Sequence, residues 1–277
     1  MRSARGTLQT LLAASALALG CEQSPSATRD NVICDGEPAL KLRVFVGQGG
    51  PELRGAVVRV ENGYGSFAID GNCDYWMSGG WLEDPLGRDL GWRRGHADAD
   101  LQHSLEAAFP LAHLDTLEDC AAAPGPSDAS PSSIRSATSG ATCTQGGPRF
   151  QAAWSVIESR AADLWSQATP LDGGIRVAAV PVSGGDDSKA YAWPATEPLS
   201  TFLLSDNEVD STGVSHAVTD LATAQALRAL RDQYISDRHA TPGFFYDGQK
   251  MNDAATTATV YMRDQLPYED AQGLWPF

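Results

Sequence analysis

From Leu40 onward, apolar and polar residues alternate: Leu40, Leu42, Val44 and Val46 share one face, with Lys41, Arg43 and Phe45 on the other. A period of two puts successive side chains on opposite sides of a pleated backbone, so the segment reads as a half-buried strand. Gly47 to Pro51 breaks it, and Ala56 to Glu61 resumes as a second strand. Ser66 to Ile69 and Asn72 to Met77 form a third and a fourth, joined by Asp70-Gly71. Asp tolerates positive φ and Gly favours it, so this pair predicts a two-residue hairpin turn. The stretch from Leu40 to Met77 is thus expected to be an antiparallel sheet.

The period then lengthens. Leu101, Leu105 and Ala108 predict a helix over Asp98 to Phe109, capped by Asp98 or Asp100 and ended by Pro110. Phe150, Trp154, Ile157, Ala161, Leu164 and Ala168 recur in steps of three and four, predicting one long helix from Pro148 to about Ala168. A third helix fits Ser215 to Ile235, with Leu221, Leu227, Leu230 and Tyr234 inward. Ile175 to Val182, Phe202 to Leu204 and Thr257 to Arg263 read as further strands, with an Asp247-Gly248 turn before the last. Strands and helices in mixed order predict an α+β fold.

Between Cys120 and Cys143, residues 121–142 are almost wholly Ala, Ser, Pro, Gly and Thr. Such a segment buries little apolar area and predicts a flexible surface loop, or a boundary between lobes 34–120 and 143–277 of one body over 34–277. Hydrophobic content of 42% and seven tryptophans argue for a folded core. The formal net charge of −15 disfavours nucleic acid and anionic lipid surfaces as partners.

The N-terminal 20 residues have the order of a secretory signal. Arg2 and Arg5 precede an apolar run from Leu8 to Leu19, and small residues close it against Cys21. Leu17-Ala18-Leu19-Gly20-Cys21 resembles the lipobox of bacterial lipoproteins. That resemblance implies cleavage before Cys21, a diacylglycerol on its sulfur, and membrane attachment through the lipid, with residues 21–33 as a tether. Ordinary cleavage after Ala16-Leu17-Ala18 is the alternative. Cysteine parity bears on the choice: with Cys21 lipidated, Cys34, Cys73, Cys120 and Cys143 remain for two disulfides. A Cys34–Cys73 bridge would staple the sheet and a Cys120–Cys143 bridge would close the loop, among three connectivities that four cysteines allow. Cys34-Asp35-Gly36, the run Asp70 to Trp76 and the run Tyr261 to Pro267 resemble uncharacterised lipoproteins of the Gram-negative envelope, a likeness that brings no activity with it. Glu22, rather than Asp, after the lipid cysteine points to the outer membrane.

Candidate chemistry is sparse. The histidines His96, His103, His113, His216 and His239 make no HExxH, and no paired CxxC knuckles occur. Asp206, Glu208 and Asp210 offer oxygen ligands, but Ser211 and Ala217 stand where an EF-hand loop needs Gly and Glu. No G-x-S-x-G elbow is present. Tyr75, Trp76, Trp81 and Trp92, with Gly79-Gly80 nearby, form a candidate stacking platform for a sugar or peptide, against the alternative of core packing. The expectation is a lipid-anchored envelope protein that binds or scaffolds an envelope protein or glycan and needs no cofactor. The rivals are an envelope hydrolase using carboxylates and calcium, in which Asp206, Glu208 and Asp210 converge with His216, and a purely structural component.

Overall fold

A computed structural model describes residues 31–46, 65–82, 91–120, 132–143, 146–182, 190–204, 215–238 and 248–269. The first sheet contains β1 (Leu40–Val46), β2 (Gly65–Asp70), β3 (Asp74–Ser78), β4 (Trp92–His96), β5 (Ser132–Arg135), β6 (Gly140–Cys143) and β7 (Thr169–Pro170). Their order across the sheet is β6-β5-β1-β2-β3-β4-β7, antiparallel throughout. Leu42, Val44, Phe67, Ile69, Tyr75 and Met77 point to one face. Three helices cover that face, α1 (Ala99–Ala108), α2 (Pro148–Glu158) and α3 (Ala161–Gln167), through Leu101, Leu105, Phe150, Ile157 and Leu164.

The second sheet holds β8 (Ile175–Pro181), β9 (Tyr191–Ala192), β10 (His216–Val218), β11 (Gln249–Asn252) and β12 (Thr257–Asp264). It runs β10-β8-β12-β11-β9, with β9 and β11 parallel and the other pairs antiparallel. Helix α4 (Leu221–Arg238) lies on it, and Ala224 and Leu227 pack among Ile175, Val177, Val260 and Met262. The fold is α+β, as the mixed order of elements predicts. No helix among the described residues is long and apolar enough to cross a membrane.

Both disulfides pair by proximity in sequence, Cys34–Cys73 and Cys120–Cys143. The first ties the segment before β1 to the β2–β3 hairpin. The second ties the residue before the 121–142 stretch to the end of β6.

Several elements depart from the sequence pattern. The β2–β3 connection is not a two-residue turn centred on Asp70-Gly71. It is a three-residue loop in which the N–H of Cys73 bonds the Asp70 carbonyl and Cys73 itself takes the left-handed conformation, φ 66°. The carboxylate of Asp70 accepts the N–H groups of Asn72 and Asp74, which fixes this wider loop. Gly71 is glycine for a different reason: a Cβ there would strike the Glu37 carbonyl and the Asp35 carboxylate.

Within the 121–142 stretch, residues 132–142 are not a flexible loop. Its second half forms β5 and enters β6, and β5 pairs with β1 at the sheet's side, burying Ile134 and Ala141. The chain passes from the first sheet to the second at 171–174. The predicted long helix breaks at Ser159-Arg160 into α2 and α3, and Arg160 reaches across to the Ser104 hydroxyl on α1. The helix expected from Ser215 begins at Leu221, because His216 to Val218 pair with β8 and Asp220 accepts the N–H of Thr223 as a cap. Leu221 is consequently exposed rather than inward. Phe202 to Leu204 make a 3-10 turn and a single bridge to Ala179 in place of a strand. The predicted strand Ala56 to Glu61 lies outside the described residues.

Candidate functional site

Charged and aromatic side chains gather where the first sheet's second face meets the second lobe. Alternation along β3 turns Tyr75 and Met77 toward the helices and Trp76 the other way. Alternation along β4 puts Trp92 on the same side as Trp76. Trp76 pairs in register with Arg94 and Trp92 with Ser78, so the two indoles are diagonal neighbours across adjacent strands. Leu266 packs on both, Leu171 and Tyr268 border them, and Trp76 meets Tyr268 edge to face.

Four ties surround this aromatic group. The Tyr268 hydroxyl donates to Oδ2 of Asp70 at 2.6 Å. Oδ1 of Asp74 lies 3.1 Å from Nδ1 of His96, while Oδ2 of Asp74 accepts from Arg94, whose guanidinium lies 5.8 Å from the Trp76 ring centre. Asp264, at the end of β12, accepts from Arg228 at 2.8 Å and from the backbone N–H of Trp92 at 3.3 Å, and lies 3.4 Å from Arg231. Glu269 turns back into the second lobe to pair with Arg263, and lies 3.9 Å from Arg176. Arg176 is the largest fully buried side chain among the described residues and donates to the hydroxyl and carbonyl of Ser215.

The electrostatics follow from this packing. Burial raises the Asp74 carboxyl, but the hydrogen bonds and charges of Arg94 and His96 outweigh it and leave Asp74 below the usual carboxylate range. Glu269 goes the other way: burial pushes it up, and Arg263 and Arg176 recover only part of that shift. Burial and the Asp70 hydrogen bond together push the Tyr268 hydroxyl well above a free phenol. Tyr268 therefore stays protonated and donates.

The residues singled out from sequence fall in three places. The four disulfide cysteines are paired as described. Tyr75, Trp76, Trp81 and Trp92 do not share a face and are all buried: Tyr75 and Trp81 sit in the helix-covered core, Trp76 and Trp92 under Leu266. They form no exposed platform in this structure, because strand alternation splits Tyr75 from Trp76 and the chain after β12 covers the second pair. Cys21, Asp206, Glu208 and Asp210 lie outside the described residues, as does any convergence of those acids with His216. His96 and His103 are exposed on different elements, β4 and α1. No group of three or more His, Cys, Asp or Glu suited to a metal ion occurs among the described residues.

Sequence reasoning missed Asp70, Asp264, Leu266, Tyr268 and Glu269 as a joined set. Only the apolar-acid rhythm of Leu266-Pro267-Tyr268-Glu269 after a strand hinted at a segment that packs rather than trails. Comparison with family models, curated proteins and solved structures finds no match to this chain.

Proposed function

We propose that the chain is a lipid-anchored module of the Gram-negative cell envelope that binds or scaffolds an envelope component outside the cytoplasm. The observation that carries the reading is the cysteine pairing. Four of five cysteines are joined in two disulfides, and the fifth is Cys21, the residue that the lipobox-like signal places at the mature start. Disulfides of this kind belong to oxidising compartments, where a leftover thiol needs another fate, and acylation supplies one. The buried arginines pair with Asp264 and Glu269 inside the second lobe, while Asp264 and Tyr268 reach the first sheet at the Trp92 N–H and at Asp70. That arrangement suits a rigid body that presents surfaces, and it leaves the lipid as the membrane contact for an acidic chain. The outer membrane is the site we propose, on the strength of Glu22 after Cys21.

The test is intact mass under non-reducing conditions, on protein purified from a host that processes lipoproteins. A chain beginning at Cys21, carrying acyl groups and no free thiol, is the expected result. An unlipidated chain beginning at Leu19 with one free thiol overturns the anchor.

A further inference from the structure

The two disulfides differ in their surroundings. Cys34 and Cys73 are half-buried and pack against the helix-covered core. Cys120 is exposed, and its partner Cys143 is only 2% exposed. A thiolate opens a disulfide by attacking one of its sulfurs, so access decides which bond breaks and at which end. Cys120 is the accessible end of the more accessible bond. Release leaves Cys143 in place, because β6 pairs with β5 and β5 with β1. The side that gains freedom is the stretch from Glu118 to Cys120, whose nearest anchors in the core are Leu114 and Leu117.

That stretch carries the cap of α2. Gly147 stands at the helix's own N-cap position and offers no side chain. Asp119 supplies the acceptor instead: its Oδ2 takes the Arg149 N–H at 2.7 Å and its Oδ1 the Phe150 N–H at 3.1 Å. The fit is close, since a Cβ on Gly147 would strike the Asp119 carbonyl oxygen. Burial raises the Asp119 carboxyl, but the Arg149 and Phe150 N–H groups outweigh it and hold Asp119 below the usual carboxylate range. Phe150, the second of the capped residues, is fully buried in the core that α2 covers. The exposed bridge therefore lies one residue from the group that starts α2.

We propose that Cys120–Cys143 is a thiol–disulfide exchange site, opened at Cys120 by a dithiol reductant, and that its opening releases Asp119 from the first turn of α2. A thiolate of the dithiol bonds to Sγ of Cys120, and the S–S electron pair leaves on Sγ of Cys143, which takes up a proton. The second thiol of the reductant, deprotonated, attacks the mixed disulfide, so that Cys120 leaves as a thiol and the dithiol becomes a disulfide. Two electrons and two protons pass to the protein, and oxidation by a disulfide reverses the step. Helix α2 reads the state of the bond, while Cys34–Cys73 keeps the first sheet stapled in both states.

The test uses the full, disulfide-intact chain without denaturant, with dithiothreitol as the dithiol. Acid quenching, unfolding, alkylation and peptide mass mapping give the order in which the cysteines are released. Cys120 and Cys143 should appear about tenfold faster than Cys34 and Cys73. With 2-mercaptoethanol in place of the dithiol, the mixed disulfide should sit on Cys120. Hydrogen exchange at the Arg149 and Phe150 amides should quicken about fivefold on reduction, the factor a lost helix cap amounts to. In Asp119→Ala those amides should exchange fast before reduction and gain nothing from it. Release of Cys34–Cys73 first or at an equal rate, an adduct on Cys143, amides indifferent to reduction, or an Asp119→Ala chain that still responds each overturns the proposal. Should that variant fail to fold, Cys120→Ser/Cys143→Ser should show the fast amides with no reductant present, and slow amides there overturn it as well.

Discussion

The phenolic oxygen of Tyr268 lies 2.6 Å from Oδ2 of Asp70, a hydrogen bond that spans 198 residues of chain. It joins the loop of the first sheet's central hairpin to the segment that follows the last strand of the second sheet. Asp70 is buried, so the bond is made to a carboxylate shielded from most of the solvent. Tyr268→Phe should lower stability by about 1.5–3 kcal/mol, the range for a hydrogen bond to a charged partner. Urea unfolding at neutral pH measures it, and a change within error would show that the bond adds nothing.

Asp264 sits between the two lobes with two arginines and a backbone N–H on its oxygens. Asp264→Ala removes the shared carboxylate from Arg231, which is 3% exposed. The expected loss is about 3–5 kcal/mol, because Arg231 loses its buried carboxylate partner and Arg228 loses the same one. Thermal melting followed by circular dichroism gives the answer. The same change at Asp232, whose carboxylate is exposed, should cost little by comparison.

The carboxylates divide by sign. Asp74, lowered from an ordinary value of 3.8, contributes stability that is present above that value and lost as pH falls through its folded one. Asp35, lowered by its hydrogen bond to Lys41, adds to the same acid-side loss. Glu269, raised by burial, behaves oppositely: its contribution is full below the ordinary value of 4.5 and is lost as pH rises through the raised one. Asp74→Asn should therefore flatten the fall in stability below about pH 4. Glu269→Gln should flatten a decline that begins above 4.5. Denaturation midpoints collected from pH 3 to 8 separate the two, and a variant that keeps the wild-type slope sinks the corresponding assignment.

Gln249 opens β11 on the face that α4 covers, fully buried, and neither its amide nitrogen nor its oxygen has a hydrogen-bond partner. A buried amide without partners costs about 1–3 kcal/mol. Gln249→Met keeps the volume and removes the polar atoms, so the variant should be more stable by roughly that amount. A lower melting temperature would mean that the amide is met in solution by an ordered water.

The disulfides contribute through the unfolded chain. Their sequence separations of 39 and 23 residues correspond to about 4 and 3.5 kcal/mol of loop-closure entropy. The paired Ser variants should lose stability in that order, Cys34/Cys73 the more. Equal or inverted losses would point to effects in the folded state instead.

Local signals were legible where a cap or a period was strong. Asp98 accepts the Leu101 N–H at the start of α1, Thr257–Asp264 is a strand, and in Leu40–Val46 the expected pair Leu42 and Val44 shares the buried face. The sequence left three cysteine connectivities open, and the structure selects Cys34–Cys73 and Cys120–Cys143. The three-residue loop at Cys73 was hidden because Asp-Gly is the stronger local hairpin signal, and a cysteine in the left-handed region carries none. The β5–β6 hairpin was hidden because Ser, Thr, Ala and Gly resemble a linker until β1 offers an edge. The seam was least legible. Asp70 and Tyr268, like Trp92 and Asp264, are brought together only by the docking of two sheets, and no periodicity within either segment encodes that.

The Cys34–Cys73 bridge also fixes how this body carries load. The described chain begins at Asn31, whose side chain bonds the Glu106 carbonyl and the Leu111 N–H at the end of α1. A pull on the N-terminal end meets those two weak points first and Cys34 three residues later. There it passes covalently into the β2–β3 hairpin, in the interior of the seven-stranded sheet, instead of peeling β1 away one hydrogen bond at a time. Mechanical extension should stop at a bond that force of that scale does not break, so the bridge acts as a strain relief between whatever holds the terminus and the fold.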